Sequence, residues 1–192
     1  MNKSRIYDLC FVATDKQITK NHHLFLHFVK YLDNKQHNLN IIFIGDLNKI
    51  MVANKMEDFL KKLTHIKFTN KHNCSKEELI EIYNSSRINI LFSGRDAYPR
   101  VITESGACGC FNIALDTLSD GKIFYDGYAG VLIGDPHVPK KLQKALSLSY
   151  DPSYILWDKI EKYINMPYDH KNISLHVKNK YNIQNVINEI YN

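Results

Sequence analysis

The chain has 192 residues, the length of a single ordinary domain. Hydrophobic residues make up 44% of it and charged residues 23%, a balance that excludes a disordered chain and predicts one packed core. The sequence shows no signal peptide and no apolar run near the roughly 18–20 residues that a membrane-spanning helix needs. We therefore expect a soluble, cytoplasmic protein.

The formal charge of +5 suits an anionic ligand such as a nucleotide diphosphate. It equally suits an anionic membrane surface, so peripheral membrane contact stays open as an alternative. The lysines are scattered and form no basic stripe with interleaved aromatic residues, so we expect no nucleic-acid partner. The four cysteines lack the spacing of a zinc site or a disulfide framework. Cys10 and Cys110 lie in apolar runs that indicate strands, where a cysteine usually serves as a small core residue.

Short apolar runs recur along the chain and predict strands. Because these runs are continuous rather than alternating, they indicate strands that are buried on both faces, as in parallel sheets. The predicted strands are Leu9–Ala13, Ile41–Ile44, Ile90–Phe92, Phe111–Leu115 and Val131–Ile133, with a weaker one at His65–Thr69.

Helical patterns fill the intervals between these runs. Leu24, Phe25 and Phe28 begin one apolar helix face, and Ser75 with Glu78 forms a capping box that opens another helix. Further helices are predicted around Leu142–Leu146, after the Asp151-Pro152 cap and near Asn182–Tyr191. This alternation predicts an α/β fold, a Rossmann-like doubly wound and mainly parallel sheet with helices on both faces. One domain would span residues 1–192, with a C-terminal loop and helix over 165–192 and the loop itself at 165–178.

The segment from Ser93 to Glu104 carries the predicted chemistry, because such folds bind ligands where a strand meets the next helix. Pro99 suits the first position of a helix, and the free amides around Ala97, Tyr98, Arg100 and Val101 would form an anion site for a diphosphate. Glu104 would lie about five residues into this helix, roughly 8 Å along its axis. A carboxylate there is placed to accept hydrogen bonds from the hydroxyls of a ribose.

Asp96 and Glu104 are separated by seven residues, with the pair Tyr98-Pro99 between them. This spacing resembles the E-x7-E signature of glycosyltransferase family 4, the group 1 retaining transferases. The resemblance continues through Ser105–Ala114, Tyr7–Ala13, Ile42–Asp46, Asp126–Asp135 and Lys180–Tyr191. It therefore covers nearly the whole chain, but only the C-terminal, donor-binding half of the family's two-domain GT-B fold.

The resemblance implies a retaining, metal-independent transfer of a hexose or similar sugar from a UDP- or GDP-sugar, without a further cofactor. Asp96 would contact hydroxyls of the donor sugar and Lys20 would grip the phosphates, so these two are the catalytic candidates. Glu104 would hold the ribose. The other candidates for donor binding are Ser93, Ala97, Tyr98, Pro99, Arg100, Val101 and Thr14.

Simpler interpretations stand beside these roles. Glu104 could be a solvated carboxylate on the helix surface, Asp96 part of a polar loop and Lys20 a solvated lysine. Arg100 is better explained as a surface residue than as a ligand contact. His22 and His23 are adjacent, so they point to different helix faces and cannot chelate a metal as a pair.

The sequence also departs from the family pattern. Thr14 stands where the family has the arginine that joins Lys20 on the phosphates, and losing such a contact costs about 1.5–3 kcal/mol. Asp96 is shorter than the usual Glu, and Asn112 stands near a position where the family often has Val.

The sequence also lacks the family's acceptor-binding first domain. The chain is therefore a fragment of a longer protein, half of an enzyme that needs an N-terminal-half partner chain, or a catalytically degenerate module for nucleotide-sugar binding or assembly. Met1 slightly favours an independent gene product.

Overall fold

The computed structural model describes residues 5–13, 20–53, 56–93, 100–116, 125–134 and 157–180. These residues include all six predicted strands: β1 (Tyr7–Val12), β2 (Leu39–Ile44), β3 (Ile66–Lys71), β4 (Ser86–Leu91), β5 (Phe111–Leu115) and β6 (Gly130–Ile133). The helices predicted around Leu142–Leu146 and Asn182–Tyr191, and the Asp151-Pro152 cap, lie outside the described residues.

Helices connect or follow the strands. They are α1 (His22–Asn34), α2 (Leu47–Ala53), α3 (Lys76–Asn84), α4 (Arg100–Ala107), α5 (Trp157–Ile164) and α6 (His170–Lys180), with a short 3-10 turn at Leu60–Lys62. The predicted capping box opens α3, since the Ser75 side chain accepts from the Glu78 amide and the Glu78 carboxylate accepts from the Ser75 amide. In the described part of the chain, no helix is long and apolar enough to cross a membrane.

The six strands form one sheet in the order β3-β2-β1-β4-β5-β6, and each neighbouring pair is parallel. Alternate residues of a strand enter two separate cores. Leu9 and Phe11 of β1 pack in the larger core with Phe25 of α1, whereas Cys10 packs in a smaller core with Tyr83 of α3. Helices therefore cover both faces of the sheet, and the predicted Rossmann-like α/β fold is confirmed.

Aromatic rings fill the larger core. The ring centroids of Phe11 and Phe25 lie 4.3 Å apart in a stacked arrangement. Trp157, at the start of α5, lies 5.3 Å from the ring of Phe28 and 5.9 Å from that of Phe92. Trp157 therefore packs α5 against α1 and the end of β4.

The cysteines agree with their predicted structural role. All four are free, and Cys10 and Cys110 are buried. Cys10 lies in β1, and Cys110 directly precedes β5, where its thiol donates to the carbonyl oxygen of Tyr83 at 3.1 Å. Both therefore serve as small core residues.

The prediction of a loop over residues 165–178 is wrong, because α6 occupies His170–Lys180. The carboxylate of Asp169 accepts from the backbone amide of Asn172 at 3.0 Å and caps the start of this helix. Ile173 and Val177, four residues apart, are the buried residues of α6. The rest of the helix is polar, so its apolar face is narrow and its sequence pattern weak.

Helix α6 packs on α4 and on the segment before β6. The hydroxyl of Ser174 donates to the carbonyl of Ala107 at 2.6 Å, at the end of α4. At the other end of α6, His176 and Lys180 contact the Oδ2 atom of Asp126 at 2.6 and 2.9 Å. These contacts tie the C-terminal part of the described chain to the second half of the sheet.

Candidate active site

The strand order places a crevice at one edge of the sheet. From β1 the chain continues to β2 and β3 on one side of the sheet, and from β4 it continues to β5 and β6 on the other side. The helices that follow β1 and β4 therefore pack on opposite faces of the sheet. Ligands of doubly wound sheets bind at the carboxyl ends of the strands beside this switch point. Here the switch point lies between Ala13, which follows β1, and Ser93, which follows β4; both are buried.

Helix α4 begins beside this edge. Its first described residue is Arg100, and Glu104 lies four residues further along the helix. The predicted first position, Pro99, lies outside the described residues. The side chains of Arg100 and Glu104 are exposed, and that of Val101 is partly buried. Burial raises the pKa of the Tyr83 hydroxyl well above its usual 10, and charge on Cys10 and then on Glu104 adds to this shift. Helix α4 packs beside α3, and the Glu104 side chain stays open to solvent.

A buried polar network fixes α4 on the sheet. The hydroxyl of Ser105, the residue after Glu104, donates to the Oδ1 atom of Asn112 on β5 at 2.7 Å. The same Oδ1 atom accepts from the Nδ2 atom of Asn89 on β4 at 2.8 Å. The thiol of Cys10 on β1 contacts Oδ1 of Asn89 at 3.6 Å. Three strands and the helix that carries Glu104 are therefore connected through polar side chains inside the protein.

Helix α1 begins at the same edge, directly after Lys20 and Asn21. Lys20 is partly exposed, whereas Asn21 is fully buried and has a left-handed backbone, with φ 49° and ψ 49°. The Nδ2 atom of Asn21 donates to the carbonyl oxygen of Phe92, just after β4, at 2.9 Å. This hydrogen bond brings Lys20 to the end of β4, beside Ser93.

The end of β2 completes the edge. A Cβ atom at Gly45 would lie 2.7 Å from the carbonyl oxygen of Ala13, so only glycine lets these two strand ends approach so closely. The Asp46 carboxylate accepts from the amide of Lys49 at 3.1 Å, inside α2, which gives Asp46 a structural role at the helix start. His22 is likewise packed in the core, with its ring 5.9 Å from that of Phe11.

Some of the predicted site residues are brought together and others are not described. Lys20 and Ser93 are the chain neighbours of Asn21 and Phe92, which are hydrogen-bonded at the switch point, and Arg100, Val101 and Glu104 lie on α4. The remaining candidates lie outside the described residues: Thr14, Asp96, Ala97, Tyr98 and Pro99. Sequence reasoning missed Asn21 as a link to β4 and missed the network through Asn89, Ser105 and Asn112. The available signal was an asparagine between two apolar residues in each of two strands, in Ile88-Asn89-Ile90 and in Phe111-Asn112-Ile113.

A large open groove lies elsewhere on the molecule. Its volume is about 1340 Å³, and Arg5, Arg87, His170 and Lys171 are among its lining residues. It lies at the amino ends of the strands, opposite the switch-point edge. The Arg5 guanidinium already donates to the carbonyl of Tyr83 at 2.9 Å and to that of Cys108 at 2.6 Å. The groove is therefore separate from the predicted donor site, and Arg5 there has a structural role.

Comparison with known proteins identifies the family. The profile described as glycosyl transferases group 1 matches residues 7–163, most of the chain. The protein belongs to this family. No curated protein sequence matches the chain.

Solved structures share the fold at low sequence identity. The C-terminal domain of the group 1 glycosyl transferase LpcC from Francisella tularensis has a TM-score of 0.63 and 17% identity, over 92% of this chain and 87% of that one. The GtfA/B complex has a TM-score of 0.60 and 15% identity, and the match covers 93% of this chain and 33% of that one. The pneumococcal O-GlcNAc transferase GtfA, in complex with UDP and GlcNAc, has a TM-score of 0.56 and 14% identity, over 98% and 37%. The chain thus spans about a third of the length of the last two proteins.

Proposed function

We propose that this chain is the donor-binding domain of a retaining group 1 glycosyltransferase and that it binds a UDP- or GDP-sugar at the switch-point edge. The observation that carries the proposal is the convergence of α1 and α4 on the ends of β1 and β4, with Lys20 at one side and Glu104 at the other. Family membership and the neighbours' fold support a transferase.

Each side of the edge has its own task in the proposed mechanism. The amino end of α4 faces the diphosphate with its backbone amides and dipole, and Glu104 accepts hydrogen bonds from the ribose. Lys20 adds a positive charge on the other side of the phosphates, while Asp96 contacts hydroxyls of the sugar. As the bond between sugar and phosphate breaks, negative charge grows on the departing diphosphate. Groups that are already oriented toward that charge lower the barrier.

Transfer also needs an acceptor held beside the donor. Because the chain spans about a third of several family neighbours, we propose that a further domain or an N-terminal-half partner chain supplies the acceptor site. Thr14 in place of the family arginine favours a second candidate, a catalytically degenerate module that still binds nucleotide sugars.

Calorimetric titration with UDP, GDP and their common sugar conjugates tests the donor site. We expect one nucleotide series to bind and Glu104→Gln to weaken it about tenfold, because a charge-assisted hydrogen bond to the ribose is lost. Glu57→Gln is the matched control, since Glu57 is also exposed but precedes β3 at the opposite edge of the sheet. Equal affinity in the wild type and the Glu104 variant would refute the assignment of Glu104. Donor hydrolysis or sugar transfer by the chain would exclude the degenerate module.

A further inference from the structure

We propose that Asn21 is a positioning residue for nucleotide-diphosphate binding: it fixes Lys20 at the end of β4 so that the lysine faces the phosphates. This inference rests on the proposed function, because it assigns a role within the same site. It concerns a residue that makes no predicted contact with the ligand itself.

The backbone of Asn21 sets the direction of the chain between Lys20 and α1. Its φ of 49° and ψ of 49° lie in the left-handed region, which asparagine tolerates better than most residues with a side chain. The carbonyl oxygen of Asn21 accepts from the amide of Leu24 at 3.0 Å and begins the helix. Lys20 is therefore the residue at which the chain turns from the strand edge into α1.

The side chain of Asn21 is used in an unusual way for a residue at a helix start. Asparagine there commonly caps the helix by accepting from one of its free amides, yet Asn21 makes no such bond. Its Nδ2 atom instead donates to the carbonyl of Phe92, 71 residues along the chain. This bond joins the chain segments on the two sides of the switch point.

The arrangement leaves part of the amide unused. Among the residues that the structure describes, none donates to the Oδ1 atom of Asn21, although the side chain is fully buried. A buried acceptor without a donor destabilises the folded state. Glycine would adopt the same backbone conformation without this cost. What asparagine adds over glycine is therefore the hydrogen bond to Phe92, which holds the residue next to Lys20 against the end of β4.

The functional consequence concerns the lysine. With the bond to Phe92 in place, the backbone of Lys20 is fixed one residue away, and less freedom is lost when its ammonium group meets a phosphate. Without the bond, the segment around Lys20 is held less tightly, and the ligand must order it further on binding. The effect of Asn21 on binding should thus depend on the presence of the Lys20 charge.

A double-mutant cycle on the full chain tests this dependence, with UDP and GDP as calorimetric ligands. A charged phosphate contact contributes about 10- to 100-fold in affinity, so we expect Asn21→Gly to lose part of it, about fivefold. In a Lys20→Met background the same Asn21→Gly change should alter affinity by less than about twofold. Asn21→Asp, which keeps the shape but cannot donate to Phe92, should weaken binding as Asn21→Gly does.

Urea unfolding of the same variants separates positioning from folding. We expect Asn21→Gly to lower the unfolding midpoint, because the Phe92 carbonyl loses its donor, but to remain folded under the conditions of the titration while it loses affinity. Equal losses with and without the Lys20 charge, or unchanged affinity in Asn21→Gly, would overturn this inference alone. If the wild-type chain bound neither nucleotide, the proposed function would fail and this inference with it.

Discussion

Asn89 and Asn112 are directly paired across β4 and β5, and the Nδ2 atom of Asn89 donates to Oδ1 of Asn112 over 2.8 Å. Both side chains are almost completely buried in the middle of the sheet. Oδ1 of Asn112 also accepts from the hydroxyl of Ser105 on α4, so the position of α4 depends on this buried amide. In the sequence, Asn112 stands out only as a polar residue between apolar ones. This dependence leads to the first prediction.

Replacing Asn112 by valine, which removes the amide, should destabilise the fold. In Asn112→Val the amide of Asn89 keeps its burial but loses its acceptor, which costs about 1–3 kcal/mol. Urea unfolding measures this loss. The double variant Asn89→Val with Asn112→Val should be more stable than Asn112→Val alone, because it removes the stranded donor. A double variant that is less stable than either single one would contradict this explanation.

Gly45 should not tolerate even a methyl group. A Cβ atom there would lie 2.7 Å from a backbone oxygen of Ala13, so the ends of β1 and β2 must separate. We expect Gly45→Ala to lower the free energy of unfolding by about 1–3 kcal/mol and to weaken nucleotide binding. Gly134→Ala is the matched control, since its nearest neighbour is a side-chain atom of Asp116 at 3.6 Å. Thermal unfolding with equal losses in both variants would refute the prediction.

Asp126 should make the stability of the protein depend on pH. Partial burial by itself raises its pKa, but hydrogen bonds from Lys180, His176 and the amides of Ala129 and Tyr128 outweigh it and hold the pKa well below the usual 3.8. A carboxyl group whose pKa is lower in the folded state stabilises the fold above its unfolded pKa, and this stabilisation is lost as the pH falls further.

We therefore expect Asp126→Asn to cost about 1–2 kcal/mol at pH 7. The difference between this variant and the wild type should narrow progressively below about pH 4. Unfolding in urea at several pH values between 7 and 3 measures this difference. A difference that stays constant over this range would show that the charge of Asp126 has no part in holding α6.

Thr14→Arg tests the departure from the family pattern. If the ligand binds as proposed, an arginine at this position adds a charge-assisted contact to the diphosphate and should strengthen binding of UDP or GDP by about tenfold. Adding Lys20→Met to this variant should remove part of the gained affinity, because both cations would contact the same phosphates. If Thr14→Arg left the affinity for UDP and GDP unchanged, the diphosphate would not bind beside residue 14 as proposed.

The sequence was sufficient to predict the sheet, because most of its strands contain a continuous apolar run. It placed β4 too short, since Arg87 and Asn89 interrupt the run. Arg87 is accommodated at 2.9 Å from Asp8, and Asn89 by the polar network, and these partners come from other elements. Helix α6 was missed for a related reason. Only Ile173 and Val177 form its apolar face, and packing on α4 rather than periodicity stabilises it.

The placement of one candidate residue on a helix was predictable from local geometry, and its role stays a prediction. Glu104 follows from counting residues along one helix. The bond from Asn21 to Phe92 was not predictable, because it joins segments 71 residues apart and leaves no pattern in either of them. Long-range polar contacts of this kind are set by the folded arrangement of the strands.

The contacts of α6 have a practical consequence for where the protein can be shortened. The family match ends at residue 163, yet Ile173 and Val177 beyond it are buried, and a Cβ atom at Gly106 of α4 would already touch Val177 at 3.0 Å. A gene cut at the family boundary would encode a chain whose α4 surface faces water and invites aggregation. The segment that the family profile matches is thus shorter than the packed domain, which extends at least to Lys180.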